Sequence, residues 1–403
     1  MRKGKKMNNT PAALRIHIAF FGARNTGKSS LVNAVTAQKI SVVSDIAGTT
    51  TDPVKKSMEL LPLGPVLIID TPGFDDTGRL GEKRVERTRE ILRQTDAAVL
   101  VVDSTRGIAE CDKELIALFG KNRIPYITVG TKADIADNKN NGYCDISVSS
   151  VTGEGINEFK ERLSKIIGVE SEPKLISDIL SPLDYVILVT PIDSAAPKGR
   201  LIMPQQLVLR DILDHGAIPV VTRETELKEA LCGLAKPPAL VITDSQVFKK
   251  VNKIIPGDMP LTSFSIIMAR FKGFLKTAVN GAAMIDKLKD GDTVLISEGC
   301  THHRQCDDIG TVKIPGLLKK YTGKELKIET TSGGEFPKDL SKYTLIIHCG
   351  GCMLNGKEMT SRVRYAEEQG IPLTNYGTAL AKMNGILERS IEPIKDRLCQ
   401  VYE

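Results

Sequence analysis

The segment Gly22–Ser29, which reads GARNTGKS, constrains this chain more than any other feature because it matches the complete P-loop pattern. An apolar run at Ile16–Phe21 precedes it and predicts a buried strand, and residues 30–37 after it predict a helix. In this strand–loop–helix order, backbone N–H groups of the loop can surround a phosphate at the positive end of a helix dipole. The sequence therefore predicts an α/β nucleotide-binding domain at this end of the chain.

Side chains in and after the loop supply the chemistry of such a site. Lys28 is expected to reach the β- and γ-phosphates, and the Ser29 hydroxyl is expected to bind Mg²⁺. Asp70 follows the predicted strand Val66–Ile69 and is a second candidate for holding Mg²⁺, while the N–H of Gly73 could sense the γ-phosphate. The predicted nucleotide-binding set also contains the remaining loop residues Gly22, Asn25, Thr26, Gly27 and Ser30.

A third motif predicts which base the site selects. Thr131, Lys132 and Asp134 follow the apolar run Tyr126–Val129. The Asp134 carboxylate could accept hydrogen bonds from N1–H and N2–H₂ of guanine, a pair of donors that adenine lacks. Four such elements in this order predict GTP as the nucleotide, and the polar stretch Gly48–Asp52 is expected to close over the metal.

Over roughly residues 1–168, these motifs resemble the TrmE/Era group of GTPases. The resemblance implies that Thr50 is a switch-one ligand of Mg²⁺ and that Ser149 and Ser150, in SSVTGEG, form the second base-contacting loop. It also implies that Asn25 helps to hold K⁺ where an arginine finger would otherwise act. We therefore expect hydrolysis that is slow without K⁺ and stimulated by it.

The chain departs from the family pattern at two positions. Thr131 stands where the base-reading motif usually has Asn, so nucleotide affinity is expected to be looser. Phe74 follows Gly73, where Ras-like enzymes have the Gln that orients water. The absence of that Gln is a second reason to expect slow intrinsic hydrolysis.

Composition limits the classes of protein that the chain can belong to. At 403 residues, with 41% hydrophobic and 26% charged residues, the chain should form two or three globular domains. It has no apolar run of about 18 residues and no signal-peptide pattern, so we expect a cytoplasmic protein without a membrane span. The net charge of +6 is mild and Trp is absent, which argues against a nucleic-acid-binding surface.

In a reducing compartment, a group of cysteines is more often a metal site than a disulfide framework. Glu298, Cys300 and His302 follow a predicted strand at Thr293–Ser297, and HCGGC, at 348–352, follows another at 344–347. Both groups lie where neighbouring parallel strands end, so they can converge. Three thiolates, from Cys300, Cys349 and Cys352, suit an iron–sulfur cluster, and a structural zinc site of three Cys and one His is the alternative.

The combination of this G domain, a middle α/β domain and the spaced Cys-x-His and His-Cys-x-x-Cys pairs resembles the HydF family, the maturation GTPases of [FeFe]-hydrogenase. The resemblance implies a [4Fe–4S] cluster held by Cys300, Cys349 and Cys352, with Glu298 or His302 as candidates for the fourth iron. It also implies transfer of a di-iron precursor to apo-hydrogenase, cooperation with radical-SAM maturases, and a homodimer formed by the middle domain. The alternative function is that of an RNA-modification or ribosome-assembly GTPase with a structural zinc site.

The predicted fold class is accordingly α/β, with a P-loop GTPase domain followed by two further α/β domains with mostly parallel sheets. The predicted limits are 1–168 for the GTPase domain, 169–263 for the dimerisation domain and 264–403 for the cluster domain. The segment Ser171–Pro173 is the predicted linker after the first domain.

Overall fold

A computed structural model describes most of the chain as two compact units, Met1–Glu172 and Pro173–Glu403. The residues described are 10–37, 53–73, 79–136, 142–168, 175–192, 201–299 and 309–397. In these ranges, no helix is both long and apolar enough to cross a membrane.

The first unit contains a six-stranded sheet with the order β2-β3-β1-β4-β5-β6. The strands are β1 (Ile16–Phe21), β2 (Val54–Leu60), β3 (Gly64–Asp70), β4 (Ala97–Asp103), β5 (Tyr126–Thr131) and β6 (Ile146–Ser147). The helices are α1 (Lys28–Thr36), α2 (Arg79–Arg93), α3 (Glu110–Asn122) and α4 (Ile156–Ile167), with a 3₁₀ turn at Ala12–Leu14. All strand pairs are parallel except β2 with β3, which is antiparallel.

Helices cover both faces of this sheet, which explains why its central strands are continuous apolar runs. Phe20 of β1 belongs to a core that includes Leu31 of α1 and Phe159 of α4. The next residue, Phe21, points to the opposite face and belongs to a core with Phe119 of α3. The alternation of side chains along a strand thus divides each apolar run between two cores.

The second unit contains two four-stranded parallel sheets, with the orders β10-β9-β7-β8 and β12-β11-β13-β14. The strands of the first are β7 (Tyr185–Val189), β8 (Ile218–Thr222), β9 (Leu240–Thr243) and β10 (Leu261–Ser263). Those of the second are β11 (Thr293–Ser297), β12 (Lys327–Thr331), β13 (Leu345–His348) and β14 (Leu373–Asn375). The helices are α5 (Met203–Asp214), α6 (Leu227–Cys232), α7 (Phe248–Ile254), α8 (Phe264–Phe271), α9 (Leu275–Ala282), α10 (Ile314–Thr322), α11 (Gly356–Glu368), α12 (Tyr376–Met383) and α13 (Leu387–Ile391). Short helical turns lie at Ser177–Ile179, Ala283–Lys287, Ile309–Lys313 and Glu392–Arg397.

These two sheets share one hydrophobic core. A single cluster of buried residues contains Ile187 of β7, Ile266 of α8, Ala278 of α9 and Ile346 of β13. The Thr374 hydroxyl of β14 also donates a hydrogen bond to the Ala278 carbonyl, at 2.8 Å. Along the chain, α8 and α9 follow the last strand of the first sheet and precede the first strand of the second. The two helices pack against each other, so a side chain at the end of α8 can reach the second sheet.

The predicted fold class is confirmed, with α/β units and mostly parallel sheets. The strands predicted at Ile16–Phe21 and Thr293–Ser297 have those bounds in the structure. The predicted domain limits remain predictions, and the predicted linker Ser171–Pro173 lies outside the described ranges.

Candidate functional site

The P-loop has a backbone that only particular residues can adopt. Gly22 has φ +143°, and a Cβ there would lie 2.2 Å from the Val101 carbonyl oxygen. Gly27 has φ +88° and immediately precedes α1, whose first turn closes with a hydrogen bond from Leu31 N to the Gly27 carbonyl, at 2.8 Å. Asn25 is exposed at φ 60°, in the left-handed region that Asn tolerates better than most residues. The loop is therefore shaped for close approach of its backbone to a ligand.

Lys28 lies inside the bend of this loop. Its Nζ donates hydrogen bonds to the carbonyls of Gly22, at 3.0 Å, and Ala23, at 2.5 Å, and the residue is buried. An ammonium held there can meet the phosphates of a bound nucleotide without a large movement. The phosphate contact of Lys28 remains a prediction.

The candidate Mg²⁺ ligands lie together. The Ser29 hydroxyl donates to Oδ2 of Asp70, at 2.7 Å, at the end of β3. Oδ1 of Asp70 is buried without a hydrogen-bond partner among the described residues. Because Mg²⁺ is usually held by one or two carboxylates together with phosphate oxygens, the free oxygen beside a hydroxyl fits this ion.

Thr131 joins the base-reading segment to the P-loop. Its hydroxyl lies 2.5 Å from the Thr26 carbonyl and 3.1 Å from the Val102 carbonyl. A Cβ on Gly27 would also lie 3.3 Å from this hydroxyl. The Thr131 side chain therefore connects the base-reading segment to the P-loop. It occupies the position where the base-reading motif usually has Asn.

Asp134, the predicted base-reading residue, is exposed, and Ser149 orients it. The Ser149 hydroxyl is buried and donates to Oδ1 of Asp134, at 2.7 Å, while the N–H groups of Val151 and Thr152 donate to that hydroxyl. The adjacent Ser150 is half-buried. The structure thus brings both predicted base-contacting segments together.

Lys132 forms an ion pair with Asp103, at 2.6 Å. Burial raises the pKa of Asp103, but hydrogen bonds from Lys132 and Thr105 outweigh it, so the net pKa is lowered. Lys132 itself has φ 61°. The pair holds the segment between Thr131 and Asp134 in an unusual backbone conformation, and sequence reasoning had not identified Asp103.

Several predicted residues lie outside the described ranges. These are Thr50, Cys300 and His302, together with Phe74 and the stretch Gly48–Asp52. Their roles remain predictions. Gly73 is described, is half-buried and follows β3 by three residues, and its contact with the γ-phosphate remains a prediction.

At the second candidate site, the neighbouring strands β11 and β13 end at the same level. Ser297 pairs with His348 in the parallel register, so Glu298 and Cys349 leave the sheet at the same edge. Sγ of Cys349 accepts hydrogen bonds from the N–H groups of Gly299, at 3.0 Å, and Gly351, at 3.3 Å. Burial raises the pKa of this thiol, and these two donors oppose the increase. Backbone donors to sulfur stabilise a thiolate, which is the form that binds metal.

His348 is held by its neighbours and is not available as a metal ligand in this arrangement. Nδ1 lies 2.8 Å from the Cys349 carbonyl and Nε2 lies 3.1 Å from Nη1 of Arg362. Since a carbonyl only accepts and a guanidinium only donates, Nδ1 carries the proton and Nε2 is the acceptor. Burial, together with the Arg362 charge, lowers the pKa of His348 to about 3. Glu358, 3.0 Å from Nε of Arg362, completes this buried network.

Glu298 is buried and has a dedicated donor. The Tyr376 hydroxyl donates to its Oε1, at 3.0 Å. A Cβ on Gly310 would lie 2.5 Å from the same oxygen and 2.2 Å from the tyrosine hydroxyl, so the space beside this pair requires glycine. The carboxylate is thus held at the edge where Cys349 leaves the sheet.

Lys272 is a further residue at this site that sequence reasoning missed. It is buried, and its Nζ donates to the carbonyls of Gly351 and, at 2.8 Å, Leu354. Burial lowers its pKa to about 8, although Cys352 and Cys349 oppose this shift. The sequence around it carries no pattern that points to a site, because the contact depends on how α8 packs against the second sheet.

Two of the three thiols predicted to bind an iron–sulfur cluster are among the described residues. Among the described residues, no group of three His, Cys, Asp or Glu side chains could hold a metal ion. Cys349 and Cys352 are half-buried cysteines that follow β13, and the third predicted thiol, Cys300, is not among the described residues. Thiol donors with backbone N–H groups directed at sulfur are the chemistry that such clusters use.

Comparison with protein families covers almost the whole chain. Residues 175–273 match the hydrogen maturase F dimerization domain, and residues 276–393 match the hydrogen maturase F tetramerization domain. Together these matches cover more than half of the chain. The chain belongs to the hydrogen maturase F family. Residues 17–132 match a third model, described as a 50S ribosome-binding GTPase, so a GTPase domain precedes the two family-specific domains.

Two curated relatives each match less than half of the chain. The tRNA modification GTPase MnmE of Nitrosomonas europaea is 33% identical over 159 residues, covering 38% of this chain and 35% of that protein. The MnmE of Chromobacterium violaceum is 36% identical over 160 residues, with 38% and 35% covered. The chain thus spans about a third of the length of these curated relatives. They support GTP hydrolysis by the first unit, with GTP and Mg²⁺ as its ligands.

Solved structures show lower sequence identity to this chain and low TM-scores. Era of Aquifex aeolicus bound to GDP·AlF₄⁻ has 16% identity and a TM-score of 0.33, covering 88% of this chain and 98% of that chain. The bacterial selenocysteine-specific elongation factor has 19% identity and a TM-score of 0.32, covering 45% and 33%. Scores this low do not support an argument about function.

Proposed function

We propose that this protein is a GTP-dependent scaffold and carrier in [FeFe]-hydrogenase maturation. It holds a [4Fe–4S] cluster through Cys300, Cys349 and Cys352, with Glu298 or His302 at the fourth iron. It receives a di-iron precursor with the help of radical-SAM maturases and delivers it to apo-hydrogenase. The observation that carries the proposal is that a Cys-x-x-Cys segment with N–H donors to sulfur lies within the match to the family's tetramerization domain.

The chain's own residues have two tasks at the cluster. The thiols bind iron, and the buried His348–Arg362–Glu358 network positions the segment that carries them by fixing the Cys349 carbonyl. When bound, the cluster supplies an iron with a weak or exchangeable ligand that can accept the precursor. Glu298, held by Tyr376, is suited to be that ligand because a carboxylate binds iron less strongly than a thiolate.

GTP acts in this proposal as a switch. The γ-phosphate would order the segments Ile46–Asp52 and Gly73–Thr88, and hydrolysis would release them. Residues 46–52 and 74–78 of these segments lie outside the described residues. The proposal places the protein in the cytoplasm, where thiols remain reduced.

The proposal is tested by anaerobic purification followed by iron, sulfide and zinc analysis and EPR of the reduced protein. We expect about four iron and four sulfide per chain and a [4Fe–4S] signal. Cys300→Ala should lose both. A colourless wild-type protein with one zinc per chain would contradict the cluster assignment and leave a zinc-containing GTPase.

The similarity of the first unit to MnmE supports a second candidate, an RNA-modification or ribosome-assembly GTPase. This function predicts that RNA co-purifies with the protein and that it is released by salt. The carrier function predicts no bound nucleic acid. The ratio of absorbance at 260 and 280 nm, measured after removal of nucleotide, distinguishes them.

GTP hydrolysis is expected to be faster in KCl than in NaCl of equal ionic strength. Asn25 provides the side chain proposed to hold K⁺, and we expect a stimulation of roughly tenfold to a hundredfold, below the ~10³–10⁵ of an arginine finger. Asn25→Gly should abolish the difference, and glycine accepts the φ of 60° found there. Equal single-turnover rates in the two salts would disprove potassium stimulation.

Val221→Lys is expected to weaken self-association. β8 is an edge strand, its residues IPVVT are largely apolar, and Val221 is 45% exposed within the match to the dimerization domain. An apolar edge strand is usually covered by a partner, here proposed to be a second copy. Sedimentation analysis should show at least a tenfold weaker dimer, on the order of 1.4 kcal/mol.

Val151→Lys is the matched control, because this side chain is 84% exposed in the first unit. It should leave the association constant unchanged. A dimer equally stable in Val221→Lys and wild type would show that β8 is not the interface.

A further inference from the structure

Lys272 is placed rigidly by the end of helix α8. Gly273, with φ +78°, donates its N–H to the Arg270 carbonyl, at 2.9 Å, and Phe274 donates to the Ala269 carbonyl, at 3.0 Å. This pair of hydrogen bonds is a Schellman motif, which terminates a helix in a defined direction. The Lys272 N–H still bonds to Met268, at 3.0 Å, so its side chain begins from an ordered turn.

The ammonium group of Lys272 lies against the segment that carries the cysteines. Its two acceptors, the carbonyls of Gly351 and Leu354, lie on either side of Cys352 in the chain. Gly351 has φ +59°, and a Cβ there would lie 3.7 Å from Nζ and 2.6 Å from Sδ of Met359. The segment thus bends closely around a buried cation.

The buried ammonium group of Lys272 lies close to two cysteines. Its Nζ donates to the carbonyls that flank Cys352, and although burial lowers the pKa of Lys272, the charges of Cys352 and Cys349 oppose that shift. A buried ammonium group is unfavourable unless negative charge or hydrogen bonds compensate it, and two carbonyls provide only part of that compensation. Thiolates at these cysteines would provide the rest.

On the basis of the proposed function, we propose that Lys272 is a positioning residue that compensates the negative charge of the cluster bound at Cys349 and Cys352, and that it raises the cluster's reduction potential. Lys272 lies in the match to the dimerization domain, whereas both cysteines lie in the match to the tetramerization domain. The side chain therefore connects the two domains at the metal.

The expected effect follows from electrostatics. Reduction adds one electron to the cluster, and a cation nearby in a medium of low dielectric constant favours the more negative state. Net charge and hydrogen bonds around the sulfurs are known determinants of cluster potentials. Removing the ammonium should therefore make the cluster harder to reduce.

The test is an EPR-monitored redox titration of anaerobically reconstituted full-length protein carrying Lys272→Met, Lys272→Arg or Lys276→Met. At a fixed solution potential, we expect about a tenfold lower ratio of reduced to oxidised cluster in Lys272→Met, which equals a shift of about −59 mV for a one-electron couple. Lys272→Arg should stay within about twofold of wild type, since the charge remains. Lys276→Met, an exposed position on α9, is the matched control and should be unchanged.

A Lys272→Met protein with wild-type iron content and wild-type potential would overturn the inference but leave the proposed function intact. A wild-type protein that binds no iron would overturn the proposed function itself. If Lys272→Met takes up no iron, the iron content and the reduction potential of Lys272→Arg test the inference instead. Full loading and a wild-type potential with arginine support the inference, and failure of arginine to load overturns it in favour of a purely structural contact.

Discussion

Lys28→Ala is expected to reduce GTP hydrolysis by at least ~100-fold, the cost usually measured when one preorganised donor to developing charge is removed. Nζ of Lys28 already lies within the P-loop, 3.0 Å from the Gly22 carbonyl, where it would meet the phosphates. The loss should appear in single-turnover rates at saturating GTP, because the charge acts on the transferring phosphoryl group. Iron and sulfide contents should stay at the wild-type level, because the cysteines belong to the other compact unit.

Lys165→Ala is the matched control for this experiment, since Lys165 is exposed on α4 of the same unit. It should hydrolyse GTP at the wild-type rate. If Lys28→Ala lost iron together with activity, the two sites would not be independent, and the proposed separation of switch and scaffold would be wrong.

Cys349→Ala is expected to remove the cluster and to leave GTP hydrolysis unchanged. The Sγ atom of Cys349 accepts hydrogen bonds from two backbone N–H groups. Alanine has no sulfur, so it can neither accept these bonds nor bind iron. Loss of a supporting residue typically costs 10–100-fold in metal affinity, so the loss of a thiolate ligand should cost at least ~100-fold. Iron per chain after reconstitution and gel filtration measures the effect.

Cys232→Ala provides the comparison, because Cys232 is an exposed free thiol in the same unit. It should keep its full iron content. Wild-type iron content in Cys349→Ala would contradict the assignment of the Cys-x-x-Cys segment as a ligand and with it the carrier function.

Sequence patterns can predict a nucleotide site because its parts are local. The P-loop is one continuous segment in which glycine is needed for backbone shape, and the strand before it is a run of apolar residues at Ile16–Phe21. Asp70 is predicted from its position directly after an apolar strand, and Asp134 from the motif Thr131–Asp134 that follows another. The hydroxyl of Thr131 at the Thr26 carbonyl could not be predicted in this way, because that contact joins segments 105 residues apart.

The cysteine site was only partly predictable for the same reason. The spacing of Glu298, Cys349 and Cys352 after two apolar strands indicated that the groups would meet, and the register of Ser297 with His348 places Glu298 and Cys349 at one edge. The spacing did not show that Arg362 occupies Nε2 of His348, nor that Tyr376 holds Glu298. Both partners come from helices that follow β13.

Residue type and order along the chain thus determined the fold class, the nucleotide and the chemical nature of the candidate metal ligands, because glycine, apolar runs and thiols express their properties locally. The tertiary structure alone decided which charges surround those ligands. Lys272 reaches the cysteine segment because α8 ends beside the second sheet within a shared core. Electrostatic effects depend on distance in space and on burial, and neither can be read from separation along the chain.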